Sequence, residues 1–374
     1  MRVVVLGAGF GGLELAARLS DEFGDGLDVT LIDRADDFIF GFAKLDVMFG
    51  RADESAVRHG YRGLRKPGVR FVQAEIQAID PEARRVRTDA GEFDADFLVV
   101  ALGADLDASA TPGVLEGGYD FYSPESAFAL RERLAAFPGG DVIVAVTSTP
   151  FKCPPAPSEA ALLVDDLLRA NGVRDNSTVS LVMPLPKPIP PSPSASEVLL
   201  TEFARRDIRW VPSSTVVRLD GDRNVAVLAD GAEMPFDLAL CAPKHRAPQV
   251  VLDSALAVDG WIPVDPRSLE TRFPGVYAVG DVTSVGTPKA GVFAEGQAAV
   301  VAARISATLR GEPSDVEYDG VGICYLQFGA DQVALVDVTF RPGRPPTGGM
   351  QGPSPEYVGD KERFGTERVR RWFG

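Results

Sequence analysis

The β-branched run Arg2 to Leu6 breaks into Gly-Ala-Gly-Phe-Gly-Gly, and a helical pattern follows through Leu19. Gly7, Gly9 and Gly12 form G-x-G-x-x-G between a strand and a helix, with Phe10 inside the turn and Gly11 as a further small residue. Glycines here allow a tight turn, close approach of backbone to a bound group and close packing of helix on strand. The next strand, Leu27 to Ile32, ends in Asp33 and Arg34. Asp33 lies 21 residues beyond Gly12, where a carboxylate takes the ribose hydroxyls of a dinucleotide. The plain alternative is a tight βα turn with no ligand.

Further strands are expected at Val69–Gln73, Glu75–Ile79, Arg85–Thr88 and Phe97–Ala101, and a helix at Ser123–Ala136. A second α/β block runs from about Asp141 to Ala242 and contains a proline-rich, polyproline-like loop, Pro184–Pro193. A short strand, Phe273–Val279, precedes Gly280 and Asp281, and a long helix is expected over Ala290–Leu309. After Glu312 the pattern turns to strands, Cys324–Phe328 and Gln332–Phe340, and then to a basic, partly amphipathic tail. The expected fold is α/β, with two Rossmann-like domains and a small C-terminal α+β segment. The expected division is 1–107 and 263–316 for one domain, 108–262 for the second, and 317–374 for the C-terminal segment.

The second block should carry its own glycine turn if it held a pyridine nucleotide. Instead strand Asp141–Val146 runs into Thr147–Glu159 (TSTPFKCPPAPSE), which has no glycine and four prolines. Proline supplies no N–H and fixes its own φ, so this loop is suited to presenting the Cys153 sulfur rather than to cradling a pyrophosphate. The strand Val179–Met183 also ends without an acidic residue for a second ribose.

The net charge of −15 argues against a nucleic-acid partner, and no apolar run reaches the roughly 18–20 residues of a membrane span. The first strand begins at once, which leaves no room for a signal peptide; a cytoplasmic protein is expected. Three cysteines, Cys153, Cys241 and Cys324, are too few for a secreted disulfide framework.

Two later segments separate FAD from NAD. Phe97–Gly103 (FLVVALG), which contains Ala101, resembles the second FAD-contact strand of flavin disulfide reductases, and Gly275–Asp281 (GVYAVGD) resembles their third motif, whose aspartate binds the ribityl chain. Together with the first turn they resemble the glutathione-reductase-like flavoproteins with two dinucleotide-binding domains. FAD is thus the expected cofactor, with Ile76 assigned to its contacts. A helix start at Ala290–Gly291 suits the flavin's pyrimidine edge, since a helix N-terminus stabilises negative charge. Lys289 either adds charge there or is a solvated lysine at a helix cap.

Within those flavoproteins, PFKCPPAPSE resembles the flavoprotein subunit of flavocytochrome c sulfide dehydrogenase and the sulfide:quinone oxidoreductases. The resemblance covers nearly the whole chain. It implies two cysteines over one face of the flavin, cycling through disulfide and persulfide: Cys153 in the proline loop and Cys324 in GICYLQFG. It also implies an acid/base at Glu159, whose alternative role is helix first-turn stabilisation. The bland alternative for the cysteines is two unrelated buried thiols. Two features depart from the family. There is no cysteine before Cys153 to tether FAD, so FAD is expected to be non-covalent, and the third catalytic cysteine of many relatives is missing. Cys241 reads as a core thiol. Lys152 is expected to favour a Cys153 thiolate.

Sulfide or another small sulfur species is the implied donor. A quinone is the expected acceptor, with a cytochrome as the alternative partner. His245, in a loop after a strand end, is read either as a proton donor to quinone or sulfur or as a surface histidine; His59 is assigned no chemistry. Lys44 sits on an expected cofactor-side loop, near flavin or phosphate or simply solvated. The tail, with Lys361, Arg363, Arg368, Arg370 and Arg371 among Phe364, Trp372 and Phe373, suits a membrane surface such as the inner face of the plasma membrane. The alternative is a helix docked on its own domain or on a second subunit. Other activities left open are an NAD(P)H dehydrogenase and a flavin redox sensor.

Overall fold

The computed structural model describes residues 1–329 and 331–374. The runs Val3–Leu6 and Val142–Val146 are buried at every residue, as expected for strands covered on both faces by helices in parallel sheets. The first sheet has the order Val276–Ala278, Phe97–Val100, Arg2–Leu6, Asp28–Asp33, Val69–Gln73, all parallel. The second has the order Gly118–Asp120, Leu238–Ala242, Asp141–Val146, Thr178–Val182, Ile208–Val211, again all parallel. Each is accompanied by a three-stranded antiparallel meander, Ile76–Asp80 to Gly91–Asp94 in the first case and Val216–Asp220 to Glu233–Pro235 in the second. In both sheets the chain departs to opposite sides of one strand, Arg2–Leu6 or Asp141–Val146, and the crevice at that strand's carboxyl end is where such folds bind ligands.

The C-terminal segment is an antiparallel sheet, Val321–Gly329, Gln332–Thr339 and Thr347–Ser354, followed by the helix Glu356–Phe373. Its third strand carries three glycines and a proline, and no sequence pattern announced it. The strand at Cys324 begins three residues earlier than expected, and the glycine-turn helix runs on to Phe23. The segment holding Lys44 is a helix, Ala43–Met48, not a loop; it packs against the helix Pro124–Ala135.

The C-terminal helix is docked on its own chain. Trp372 is fully buried and donates its indole N–H to Glu14 on the glycine-turn helix at 2.7 Å. Arg371 also reaches Glu14, and Arg368 holds both oxygens of Glu295 at 2.9 and 2.8 Å. Phe10, Phe38 and Trp372 meet edge to face. The aromatic and several basic residues read as lipid-facing therefore point inward, because a buried indole and two buried carboxylates outcompete solvent for them. Among the described residues no helix is long and apolar enough to cross a membrane.

Candidate active site

A cavity of about 370 Å³ opens between the two sheets and the C-terminal segment. Its wall includes Gly7, Gly9, Phe10, Gly11 and Asp33 from the first turn and strand, and Ala101 and Gly103 from the next motif. It also includes Gly280, Asp281, Ala290 and Gly291, and, from elsewhere in the chain, Lys44, Cys153, Glu159 and Cys324. Gly12, Arg34, Ile76, His245 and Lys289 are not on this wall.

The glycines are sterically required. Gly7 has φ +98°, and a Cβ there would lie 2.4 Å from the Ala101 carbonyl oxygen. A Cβ on Gly12 would lie 1.9 Å from the Gly7 oxygen, so Gly12 serves helix–strand packing and not the cavity. At Gly9 nothing lies within 4 Å: the space beside its backbone is open to a ligand. The helices Phe10–Phe23 and Gly291–Arg310 both begin at the wall and direct their positive ends there. Asp33 accepts the Ala8 and Ala35 N–H groups at 2.7 and 2.9 Å, which fixes the carboxylate beside the turn. Asp281 is raised by burial and held down in part by Lys152, Lys289 and Lys44. An open glycine backbone, two helix starts and a fixed carboxylate fit FAD.

The cysteine loop is anchored to this wall by its backbone. Cys153 donates its N–H to the Lys289 carbonyl at 2.7 Å, and its own carbonyl accepts from Ala156 at 2.8 Å. Cys153 has φ +46°, a left-handed conformation that is costly for a residue with a Cβ. Glu159, 3 % exposed on the first turn of the helix Ala156–Ala170, accepts the Gln327 N–H at 2.7 Å, and Gln327 lies three residues after Cys324. The side-chain oxygen of Gln327 in turn accepts from Lys361 at 3.0 Å. One carboxylate thus ties the cysteine-loop helix to the strand that carries the second cysteine. Burial raises Glu159 above the ordinary carboxylate range.

Both cysteines are half-buried free thiols. Burial, then Glu159 and Cys324, raise Cys153 well above an ordinary thiol; burial and Glu159 push Cys324 up to about 12. The expectation of a Cys153 thiolate beside Lys152 is corrected: desolvation dominates, and the Lys152 ammonium is turned to the Ala104 carbonyl at 2.9 Å. Cys241 is fully buried, and burial pushes it up to about 12.

The residues off the wall have structural surroundings. Lys289 is 7 % exposed, donates to the Asp281 and Thr283 carbonyls and lies 3.3 Å from the centre of the Trp261 ring, so it is neither solvated nor directed at the cavity. Burial lowers it to about 8. Arg34 faces Asp105 at 3.8 Å on the surface, and Ile76 packs into the core beneath the first sheet. His245 is 3 % exposed on the short strand Lys244–Arg246, with Nδ1 2.8 Å from the Pro243 carbonyl. It is neither in a loop nor on the surface, and burial followed by Lys152 lowers it to about 3, so it is neutral at physiological pH. Sequence reasoning missed Tyr122, Tyr325 and the aromatic run Phe40–Phe42 on the wall. The aromatic run FIFGF just ahead of Lys44 could have signalled the last of these.

A family model described as pyridine nucleotide-disulphide oxidoreductase matches residues 1–304. The mitochondrial sulfide:quinone oxidoreductase of Mus musculus is 24% identical over 358 residues, covering 90% of this chain and 78% of the relative. The sulfide-quinone reductase of Aquifex aeolicus is 26% identical over 355 residues, covering 88% and 81%. The crystal structure of the sulfide:quinone oxidoreductase from that bacterium superposes with TM-score 0.88 at 22% identity, covering 99% of this chain and 92% of the other, a likeness of fold.

Proposed function

Because the chain belongs to the pyridine nucleotide-disulphide oxidoreductase family, whose members carry FAD, and is an FAD-dependent oxidoreductase, we propose that it oxidises sulfide or a related small sulfur species at Cys153 and Cys324 and delivers the electrons to a quinone. One observation carries this reading. Two cysteines 171 residues apart in the chain line the cavity that the glycine turn lines, with one buried carboxyl beside them. The names of the mouse and Aquifex relatives agree with it.

Gly7, Gly9 and the start of helix Phe10–Phe23 would hold the FAD pyrophosphate, Asp33 the ribose, Asp281 the ribityl chain and the Gly291 helix start the pyrimidine edge. FAD bound there supplies a two-electron acceptor. In the oxidised enzyme Cys153 and Cys324 form a disulfide. Attack by HS⁻ breaks that S–S bond, makes a new one to the incoming sulfur and releases the other cysteine as a thiolate. With both thiols raised by burial, that thiolate takes up a proton, and Glu159 is the wall carboxyl suited to supply it. Phe42, Tyr325 and Phe364 make an apolar part of the wall suited to a quinone ring. Peripheral membrane contact is assigned to Val321 and Ile323, exposed apolar side chains on the strand that carries Cys324, and not to the docked C-terminal helix.

Anaerobic addition of sulfide to the purified holoprotein should bleach the visible flavin band, and a soluble quinone should restore it. Bleaching by NADH but not by sulfide would overturn the reading.

A further inference from the structure

We propose that Lys44, Lys152 and Tyr122 form a small-anion subsite beside Cys153, which admits a small monoanion ahead of a neutral reagent of the same size. Only the naming of that monoanion as hydrosulfide rests on the proposed function.

Both lysines are on the cavity wall, half-buried, and each ammonium spends one donor on a backbone carbonyl, Lys44 on Tyr122 and Lys152 on Ala104. An ammonium has three donors, so two remain on each. Neither has a carboxylate partner among the described residues. Burial and then Lys152 lower Lys44 to about 8, while Asp120, Cys153 and Glu125 oppose that; at neutral pH Lys44 keeps its charge. The Asp120 carboxylate is already engaged with the Tyr122 and Ser123 N–H groups. Asp281 on the same wall answers Lys152, Lys289 and Lys44 together, so one carboxylate serves three ammonium groups, and an anion between Lys44 and Lys152 relieves the remaining cost. The independent sign of a ligand is Tyr122. It is 6 % exposed, lines the cavity, and its buried hydroxyl has no partner among the described residues. Cys153, when ionised, acts on both Lys44 and Tyr122. Two cations, a tyrosine with an unpaired hydroxyl and a sulfur thus share one cavity wall. Lys152, Cys153 and Tyr122 belong to the second α/β half, whereas the glycine turn belongs to the first.

The test is the ratio of alkylation rates at Cys153 by iodoacetate and iodoacetamide, read by mass spectrometry on the reduced holoprotein. Both reagents react with the same thiolate and release iodide, one leaving a carboxymethyl and the other a carbamidomethyl thioether, so mass spectrometry separates the products and the thiolate fraction cancels in the ratio. The ratio should exceed that of a free cysteine peptide and fall about tenfold in Lys44→Met/Lys152→Met. It should survive in Lys44→Arg/Lys152→Arg and fall by a smaller factor in Tyr122→Phe. An unchanged ratio in the double Met variant overturns the subsite. So does loss of FAD from that variant with unchanged circular dichroism, which would assign the lysines to the cofactor. If the ratio behaves as expected but sulfide fails to bleach the wild-type flavin, the sulfide reading falls and the subsite stands.

Discussion

In each half of this chain the central strand of a parallel sheet runs into a helix at its carboxyl end, Arg2–Leu6 into Phe10–Phe23 and Asp141–Val146 into Ala156–Ala170. The first turn is made of glycines whose Cβ atoms have no room at Gly7 and Gly12 and open space at Gly9. The second is made of prolines around a left-handed Cys153, and its N–H groups are already used: Cys153 to Lys289, Ala156 to Cys153, and Ser158 and Glu159 to Pro155. One helix start is left free for an anionic cofactor; the other is closed internally and holds out a sulfur. The same position in a duplicated fold thus does opposite work, according to whether its backbone donors are free or spent.

The two helices also share a device. Glu14 on the first is 1 % exposed and gathers Arg18, Arg371 and Trp372 from the C-terminal helix and from its own turn. Asp165 on the second is fully buried and gathers Arg169, Arg174 and Arg206, and Arg206 donates to the Phe328 carbonyl of the Cys324 strand at 2.8 Å. Each half therefore straps one part of the C-terminal segment through a buried carboxylate; removing Asp165 would leave the buried Arg174 without a carboxylate, and removing Glu14 would leave the buried Trp372 indole N–H unpaired.

The sharpest way to break the contrast is to remove the sulfurs. Cys153→Ser or Cys324→Ser should abolish bleaching of the flavin by sulfide while FAD stays bound, as read by anaerobic stopped-flow. A variant reducing at the wild-type rate would sink the pairing. Next in size is the glycine turn. Gly12→Ala meets the Gly7 carbonyl at 1.9 Å and should cost about 3 kcal/mol in urea unfolding. Gly9→Ala meets no protein atom and should leave stability unchanged but lower FAD occupancy; equal stability loss in both would refute the assignment of the open space to a ligand. Glu159→Gln should slow flavin reduction by about 100-fold and flatten its pH profile. Its raised pKa keeps the wild-type carboxyl protonated further toward neutrality, so the proton is lost as pH rises.

The smallest effect concerns Glu295, raised by burial from 4.5 to about 7 against the pull of Arg368. In that window the folded state binds more protons than the unfolded one, so this group's contribution to stability is full below about 4.5 and is lost as pH rises through about 7. Glu295→Gln should remove that slope from urea midpoints measured across the window; an unchanged slope would mean that the Arg368 pair holds the carboxylate ionised.

Much of the architecture was legible because its signals are local. Continuous β-branched runs, glycines at fixed offsets, an aspartate at a strand end and a proline loop in place of a second glycine turn are all read within a few tens of residues. The helix at Lys44 was not legible, since Ala43–Met48 is too short for its periodicity to show. The strand Thr347–Ser354 was hidden by its glycines and proline. His245 and Lys289 looked like surface residues because their burial depends on the strand Asp105–Asp107 and on Trp261, both remote in sequence.

By itself the amino-acid order determined two sheets, one glycine cradle and one loop able to present a thiol, because torsional and steric preferences act between neighbours. Only the tertiary structure decided that Glu159 reaches the Cys324 strand, that burial raises both thiols above the ordinary range, and that the basic tail turns its tryptophan inward. Those outcomes depend on desolvation and on donors paired across more than a hundred residues, and such quantities exist only once the chain has folded.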